Sequence, residues 1–233
     1  MGIQVKNAYT PFIPTDRADL AYWLDANQIT GLNDGDRSGT WINAAGNGYD
    51  PSQGTTAAKP IYIASDSDFN NYPCLDFQGV QYLESFGLEL TQPNTAFCVF
   101  KVSGSGHQHP FDSTSTSHRN RIIRSADNNM YINAGTDLLG YSAPSPVDAA
   151  IVTGIFNGAN SQIFKNNEIK ATGNAGSESM LGIRVGANAA AATFFTGRIA
   201  EIIIYNALFD SFEIRLVYGY LSNKYDIRKQ LAA

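Results

Sequence analysis

Charge is scarce in this chain. Asp, Glu, Lys and Arg make up 16% of its 233 residues, against about 25% in an ordinary soluble domain. The formal net charge is −5 at pH 7, and the one basic run of three cations uninterrupted by an acid is Arg119, Arg121 and Arg124. Nucleic acid is therefore not an expected partner, because holding phosphates takes a basic face. Long apolar runs are missing too. Nothing approaches the ~18 residues of a membrane-spanning helix, so no membrane is expected. Met1 to Thr10 lacks the basic start and apolar centre of a secretory leader. The chain is expected to fold in a cytoplasm unless a leader has been removed. Cysteine is limited to Cys74 and Cys98, each in an apolar run, and two buried free thiols are expected rather than a disulfide. There is no phosphate-loop pattern and no context for a Ser-His-Asp triad.

What is present in quantity is apolar and uncharged polar. Hydrophobic residues reach 43%, enough for a sizeable core in a single domain. Asn, Ser, Thr, Gln and Gly must then cover the surface. Many short runs with polar turns read as strands of a sandwich or barrel. They are Ala21–Asp25, Cys74–Phe77, Gln81–Leu83, Thr95–Val102, Arg121–Arg124, Met130–Asn133, Leu138–Tyr141, Ala149–Phe156, Ser161–Lys165, Glu168–Ala171, Leu181–Val185 and Phe194–Tyr205. Asn166-Asn167 marks a two-residue hairpin turn. The chain then changes period. Asp210 and Glu213 form a capping-box pair, with Phe209 and Ile214 at the staple positions. Ile214, Val217, Leu221 and Tyr225 follow on one helical face, predicting a helix near 210–225 that lies on the sandwich.

Several of these segments together resemble the laminin-G-like branch of the concanavalin A-like lectin/glucanase superfamily. They are Trp23-Leu24-Asp25-Ala26, Asp34-Gly35-Asp36 with Trp41, Gly46-Asn47-Gly48, Lys59-Pro60, Pro73-Cys74-Leu75-Asp76-Phe77-Gln78-Gly79, Tyr82-Leu83, Gly197 to Tyr205, Glu213, and Tyr220-Leu221 with Lys224-Tyr225. The match runs nearly end to end. Asn43 stands where an acid is usual, Ala45 where Ser is usual, and Leu208-Phe209-Asp210 replaces an Ala-Leu-Ser turn. The resemblance implies an all-β, two-sheet jelly-roll sandwich with one concave face and a short C-terminal helix. It implies a binding or structural module more than an enzyme, of a kind found in secreted bacterial proteins and on bacteriophage particles. The expected layout is an extended, Pro-punctuated arm at 1–18, a sandwich over 19–227 and a tail at 228–233. About 16 extended residues of arm would span roughly 55 Å, enough to reach a neighbour.

Hydrolases of this superfamily carry acids alternating along one strand, so that they face one side and divide the acid and nucleophile roles. None of the six glutamates here, Glu84, Glu89, Glu168, Glu178, Glu201 and Glu213, stands two residues from another acid. Glu201, alone in an apolar strand, reads as a satisfied polar residue orienting a loop or the helix. Carboxylates meeting across strands would still allow a glycosidase. A lyase would need Tyr, His and Arg or Gln on the concave face; Tyr131, Tyr141, His107 and Arg121 are available, but no spacing marks them as a set.

All three histidines, His107, His109 and His118, lie close to Arg119 and Arg121. His107 and His109 would share a face if extended, which suits a metal. Gly104, Gly106, Pro110 and the Ser/Thr-rich stretch instead favour an exposed, flexible loop over 104–121 that serves at most as a contact loop. Asp34 and Asp36 lack full calcium-loop spacing and read as a turn. Trp23 and Trp41 are expected in the core, while Tyr49, Tyr72 and Tyr141 are candidate stacking rings. The candidate ligand-binding residues are therefore Tyr72, His107, His109, His118, Arg119, Arg121 and Tyr141. No catalytic residue, metal or cofactor is expected. The leading expectation is a non-catalytic, homo-oligomeric structural or attachment protein of a bacteriophage particle, contacting other virion proteins and a host-surface glycan. The alternatives are a carbohydrate-binding module of a secreted bacterial protein and a polysaccharide hydrolase or lyase.

Overall fold

A computed structural model describes residues 11–228. Residues 1–10 of the expected arm and 229–233 of the expected tail lie outside the described residues. In chain order the strands are β1 (Leu20–Asp25), β2 (Ile61–Asp66), β3 (Tyr72–Gln78), β4 (Leu83–Leu90), β5 (Asn94–Val102), β6 (Gln108–Asp112), β7 (Arg121–Arg124), β8 (Asn129–Asn133), β9 (Asp137–Ser142), β10 (Val147–Phe156), β11 (Ser161–Lys165), β12 (Glu168–Gly173), β13 (Met180–Val185) and β14 (Thr196–Tyr205). Helix α1 (Ser211–Tyr225) follows.

The strands form two antiparallel sheets. The eight-stranded sheet runs β12-β11-β10-β5-β14-β3-β2, with β1 also paired to β14; the six-stranded sheet runs β4-β13-β6-β7-β8-β9. Strand β14 organises the larger sheet. β5 runs along one side of it, while β3 takes Thr196–Ile199 and β1 takes Glu201–Tyr205 on the other.

Two apolar clusters follow from strand alternation. Inward residues such as Phe77, Cys98, Phe100, Phe111, Ile122, Ile132, Ile199, Ile202 and Ile204 fill the space between the sheets. Cys74, Phe97, Val99, Ile151, Ile203 and Tyr205 face the other way and are covered by Ile214, Val217, Leu221 and Tyr225 of α1. The predicted helical face is thus the buried one. Each such side chain, fully buried, contributes about 1.5–3 kcal/mol. The two thiols fall in different clusters, on opposite faces of the sheet, and both are free. Trp41 is fully buried as expected, whereas Trp23 is half-buried and uses its indole N–H for the buried ion cluster described below.

Asp210 caps α1, accepting from the backbone N–H of Phe212 and Glu213 at 2.8 and 2.9 Å, while the Glu213 carboxylate accepts from the Asp210 N–H at 2.8 Å. Asn166 and Asn167 both take left-handed backbone, φ 49° and 63°, as a tight hairpin turn requires. Asn43 suits its place as an amide. It donates to the Ala21 carbonyl and to Asn47 Oδ1 at 3.1 and 2.8 Å, bonds that the usual carboxylate could not donate.

The structure corrects the sequence reading at three strands. β2 was not anticipated, and the strand expected at Gln81–Leu83 begins at Leu83 and runs on as β4. Gln81 instead folds its side chain back to accept from the Gln78 N–H at 2.6 Å. The third, β6, lies inside the segment expected to be an exposed loop, and all five of its residues are buried. Pro110 disguised it. Proline is tolerated in an interior strand at a bulge, and the register with β7 slips between Gln108 and Phe111.

Residues 11–18 pack against the domain. Phe12 touches the outer cluster, the Tyr205 hydroxyl donates to the Pro14 carbonyl at 3.2 Å, and Arg17 bonds Asp19 and Glu213 while lying over the Phe209 ring.

Candidate functional site

The outer face of the six-stranded sheet carries a recess of about 240 Å³. Its floor is set by alternation. Ile122, Met130 and Ile132 point into the sandwich, so Arg121, Ile123 and Tyr131 face outward. Ile123 and Tyr131 are cross-strand partners. The β6 bulge brings His109 to the same face, buried at 3% exposure. His107 and Arg119 stand at the strand ends, Asp137 comes from the start of β9, and Asn188 and Thr193 come from the loop between β13 and β14. That loop is held by the Asn188 N–H to the Thr193 carbonyl and by the Gly186 N–H to the Pro110 carbonyl, both at 2.9 Å.

The recess is unusual in its unmet hydrogen bonds. His109 Nδ1, Arg119 Nε and Arg121 Nε are buried without a partner. Arg121 lies 3.7 Å from Asp112 and 3.8 Å from Asp137, beyond hydrogen-bond length. Asp112 is already engaged by the Ser113 and Ala189 N–H groups at 2.8 and 3.0 Å. Asp137 accepts from Asn133 Nδ2 at 2.6 Å. Burial pushes the Asp112 carboxyl up and the Arg121 guanidinium down, each opposed by the other's charge. Burial, and after it the charge of Arg121, pushes His109 down to about 3, so its ring is neutral. The Tyr131 hydroxyl donates to Asp127 at 2.5 Å, a bond that raises its pKa.

Four of the seven residues singled out from sequence thus come together: His107, His109, Arg119 and Arg121. The other three do not join them. His118 sits in the loop before β7, its Nδ1 3.3 Å from both the Ser115 and the Ser117 hydroxyl. Tyr72 lies on the helix side, edge-on to Tyr225. Tyr141 packs against the inter-sheet core, with Lys165 over its ring and its hydroxyl buried. Arg124, third of the arginine cluster, is structural; it is fully buried and donates to the carbonyls of Ala143 and Gly106 at 2.9 Å each. Sequence reasoning missed Ser125, Asp137, Asn188 and Thr193, which strand pairing and loop closure bring in and no local motif announces.

Glu201 sits elsewhere, on the helix side of the other sheet. A bulge at Ala200 turns it toward α1. Its carboxylate accepts from Trp23 Nε1 at 2.7 Å, the Tyr220 hydroxyl at 3.0 Å, and Lys224 Nζ and the Tyr225 hydroxyl at 2.8 Å each. Lys224 also bonds Asp25 at 2.7 Å. Burial raises the Glu201 pKa, and the nearby Asp25 charge adds to that. The cluster ties β1, β14 and α1 together.

A larger groove of about 600 Å³ lies by the start of α1, lined by Ile155, Phe164, Ile169, Leu208, Phe209 and Ile214 among others. None of its lining side chains holds a buried polar atom without a partner, so the smaller recess is the better-built site. Asp36 accepts from the Asn33 N–H within its own turn at 2.7 Å, and Asp34 ties that turn to β2 by accepting from the Ala64 N–H at 2.9 Å. Among the described residues no cluster of three His, Cys, Asp or Glu is placed to hold a metal, and no helix is long and apolar enough to cross a membrane.

No protein-family model and no curated protein matches the chain. Solved structures do match in fold. A Trypanosoma rangeli sialidase in complex with 2,3-difluorosialic acid superposes with a TM-score of 0.61 at 11% identity, over 91% of this chain and 34% of the sialidase. A botulinum neurotoxin type C structure, described as entering cells through two ganglioside molecules, gives 0.59 at 12% identity, over 87% of this chain and 51% of that one. Domain 4 of AbnA, a GH43 extracellular arabinanase from Geobacillus stearothermophilus in complex with arabinotriose, gives 0.57 at 15% identity, over 84% of this chain and 96% of that domain. The chain spans about a third of the sialidase chains it matches. The fold is that of a lectin-like β-sandwich.

Proposed function

We propose that this chain is a carbohydrate-binding module and that its sugar sits in the recess on the six-stranded sheet. The observation that carries the reading is that recess. It is an open site on a rigid sheet, floored by the Ile123–Tyr131 pair and ringed by side chains whose hydrogen bonds are unmet. An apolar floor with a few convergent polar groups is the usual make-up of a small-ligand site. The sandwiches of like fold whose structures hold arabinotriose or a sialic acid derivative support it. The module binds without turnover in this reading. Asp112 is shielded by two backbone N–H groups, Asp137 is the carboxylate left at the rim, and Glu201 is consumed by four donors on the far sheet.

A place on a bacteriophage particle, the leading expectation from sequence, draws no support from these likenesses. A module of a secreted bacterial protein is better supported, because the arabinanase likeness covers nearly one whole domain of such a protein. A glycan array tests the reading. Saturable binding to at least one oligosaccharide class is expected, with no release of reducing ends and no rise in the ultraviolet absorbance of unsaturated sugars. An array without a single binder refutes it.

A further inference from the structure

Resting on the carbohydrate-binding reading, we propose that the recess selects a saccharide that carries a carboxylate, gripped by the Arg119 and Arg121 guanidinium groups. Arg17, Arg124, Arg184 and Arg198, buried or partly buried, each donate to a carboxylate or a carbonyl. Arg119 and Arg121, also partly buried, donate no side-chain hydrogen bond in the described structure, and the Nε of each is buried with no acceptor. A buried donor left unmet costs about 1–3 kcal/mol, and a guanidinium offers five donors in a planar fork. Two such forks side by side, facing one recess, are unusual without an acceptor that arrives from outside.

The surrounding charges have other partners. Asp112 and Asp137 approach Arg121 only to 3.7 and 3.8 Å and take N–H groups elsewhere. Glu178 meets Arg119 through the backbone, accepting its N–H at 2.9 Å. His109 is neutral and supplies shape and a ring nitrogen, not charge. Exposed His107 and the loop residue Asn188 stand at the rim, where the rest of a sugar ring would lie. A carboxylate fits better than a hydroxyl because the fork bonds both of its oxygens. The two sources of such a group, a terminal sialic acid and a uronate residue, present the same chemistry to the two arginines.

The test titrates the full chain calorimetrically with paired ligands that differ only in the acid. Sialyllactose and a galacturonate oligomer are each set against their own methyl esters; a sulfated sugar without a carboxylate completes the set. At least one acid should bind about tenfold tighter than its neutral twin, as charge-assisted hydrogen bonds allow, and the pair that responds identifies the source. Arg119→Gln should cut that acid-to-neutral ratio about tenfold. Its side chain makes no hydrogen bond or ion pair in the described structure, so the variant should melt like the parent. Arg121→Lys keeps a charge opposite Asp112, loses the fork, and should also lower the ratio. Neutral twins binding as well as the acids, or the sulfated sugar matching them, overturns the carboxylate proposal and leaves the carbohydrate reading standing. So does acid binding that survives Arg119→Gln. Failure of every sugar to bind overturns both.

Discussion

Lys224→Met removes the cation from the buried cluster that fastens α1 to the larger sheet. Lys224 is 10% exposed at its side chain, Asp25 4% and Glu201 0%, and its ammonium lies 2.7 and 2.8 Å from the two carboxylates. Methionine keeps the bulk, so the loss is electrostatic. Taking away one partner of a buried ion pair costs about 3–5 kcal/mol, because it strands the other charge. Glu201 keeps its three neutral donors, so the lower end, about 3 kcal/mol, is expected. In a domain of this size that is a fall of roughly 6–12 °C in melting temperature. The deficit should depend on pH in a definite direction. Burial raises the Glu201 pKa above its ordinary 4.5, so the native state binds that proton more tightly than the unfolded state. This group's contribution to stability is therefore whole at low pH and declines as pH rises through its native pKa. Lys224 opposes the shift, and its removal moves the native pKa further up. Urea unfolding of parent and variant should show the gap widest near pH ~7 and narrowing toward pH ~4.5. A gap below about 1 kcal/mol, or one that stays constant with pH, would refute this account of the cluster.

Gly182→Ala should destabilise the six-stranded sheet by at least about 2 kcal/mol, measured by denaturant unfolding, because φ is +62° there and a Cβ would fall 2.4 Å from the Ser85 carbonyl oxygen. Asp210→Ala should lower stability by about 0.5–2 kcal/mol through loss of the α1 cap, and thermal melts should show Asp210→Asn losing less. His109, held at about 3 against an ordinary 6.5, should keep constant NMR ring shifts between pH ~5 and ~8. Its native pKa is depressed, so its contribution to stability is whole above 6.5 and declines as pH falls toward about 3.

The parts of this molecule that were legible in its sequence are those whose cause is local. The capping pair Asp210 and Glu213, the face Ile214, Val217, Leu221 and Tyr225, and the Asn166-Asn167 turn each follow from a short stretch of chain, and each is found in place. β10 and β14 were legible because strands buried on both faces read as apolar runs. β6 was hidden because His109 and Pro110 break that pattern, and only the bulge against β7 makes room for them. The site was half legible. His107, His109, Arg119 and Arg121 are close in sequence, and the β6–β7 pairing keeps them close in space. Asp137, Asn188 and Thr193 arrive through later strand pairings and a closed loop, which no local pattern encodes. Tyr72 and Tyr141, candidate stacking rings from sequence, are both drawn away from the recess, Tyr72 in β3 against Tyr225 and Tyr141 in β9 against the core. The satisfaction of Glu201 was foreseen in kind, but its partners come from β1 and α1, far apart in the chain.

The most direct test of where this protein binds sugar is an amide chemical-shift map recorded on the full chain with the best array ligand. The account predicts saturable shifts grouped at His107–His109, Arg119–Ile123, Tyr131 and the Asn188–Thr193 loop, with the helix side silent. Shifts grouped instead at Ile169, Leu208 and Ile214 would place the sugar in the apolar groove beside α1 and contradict it.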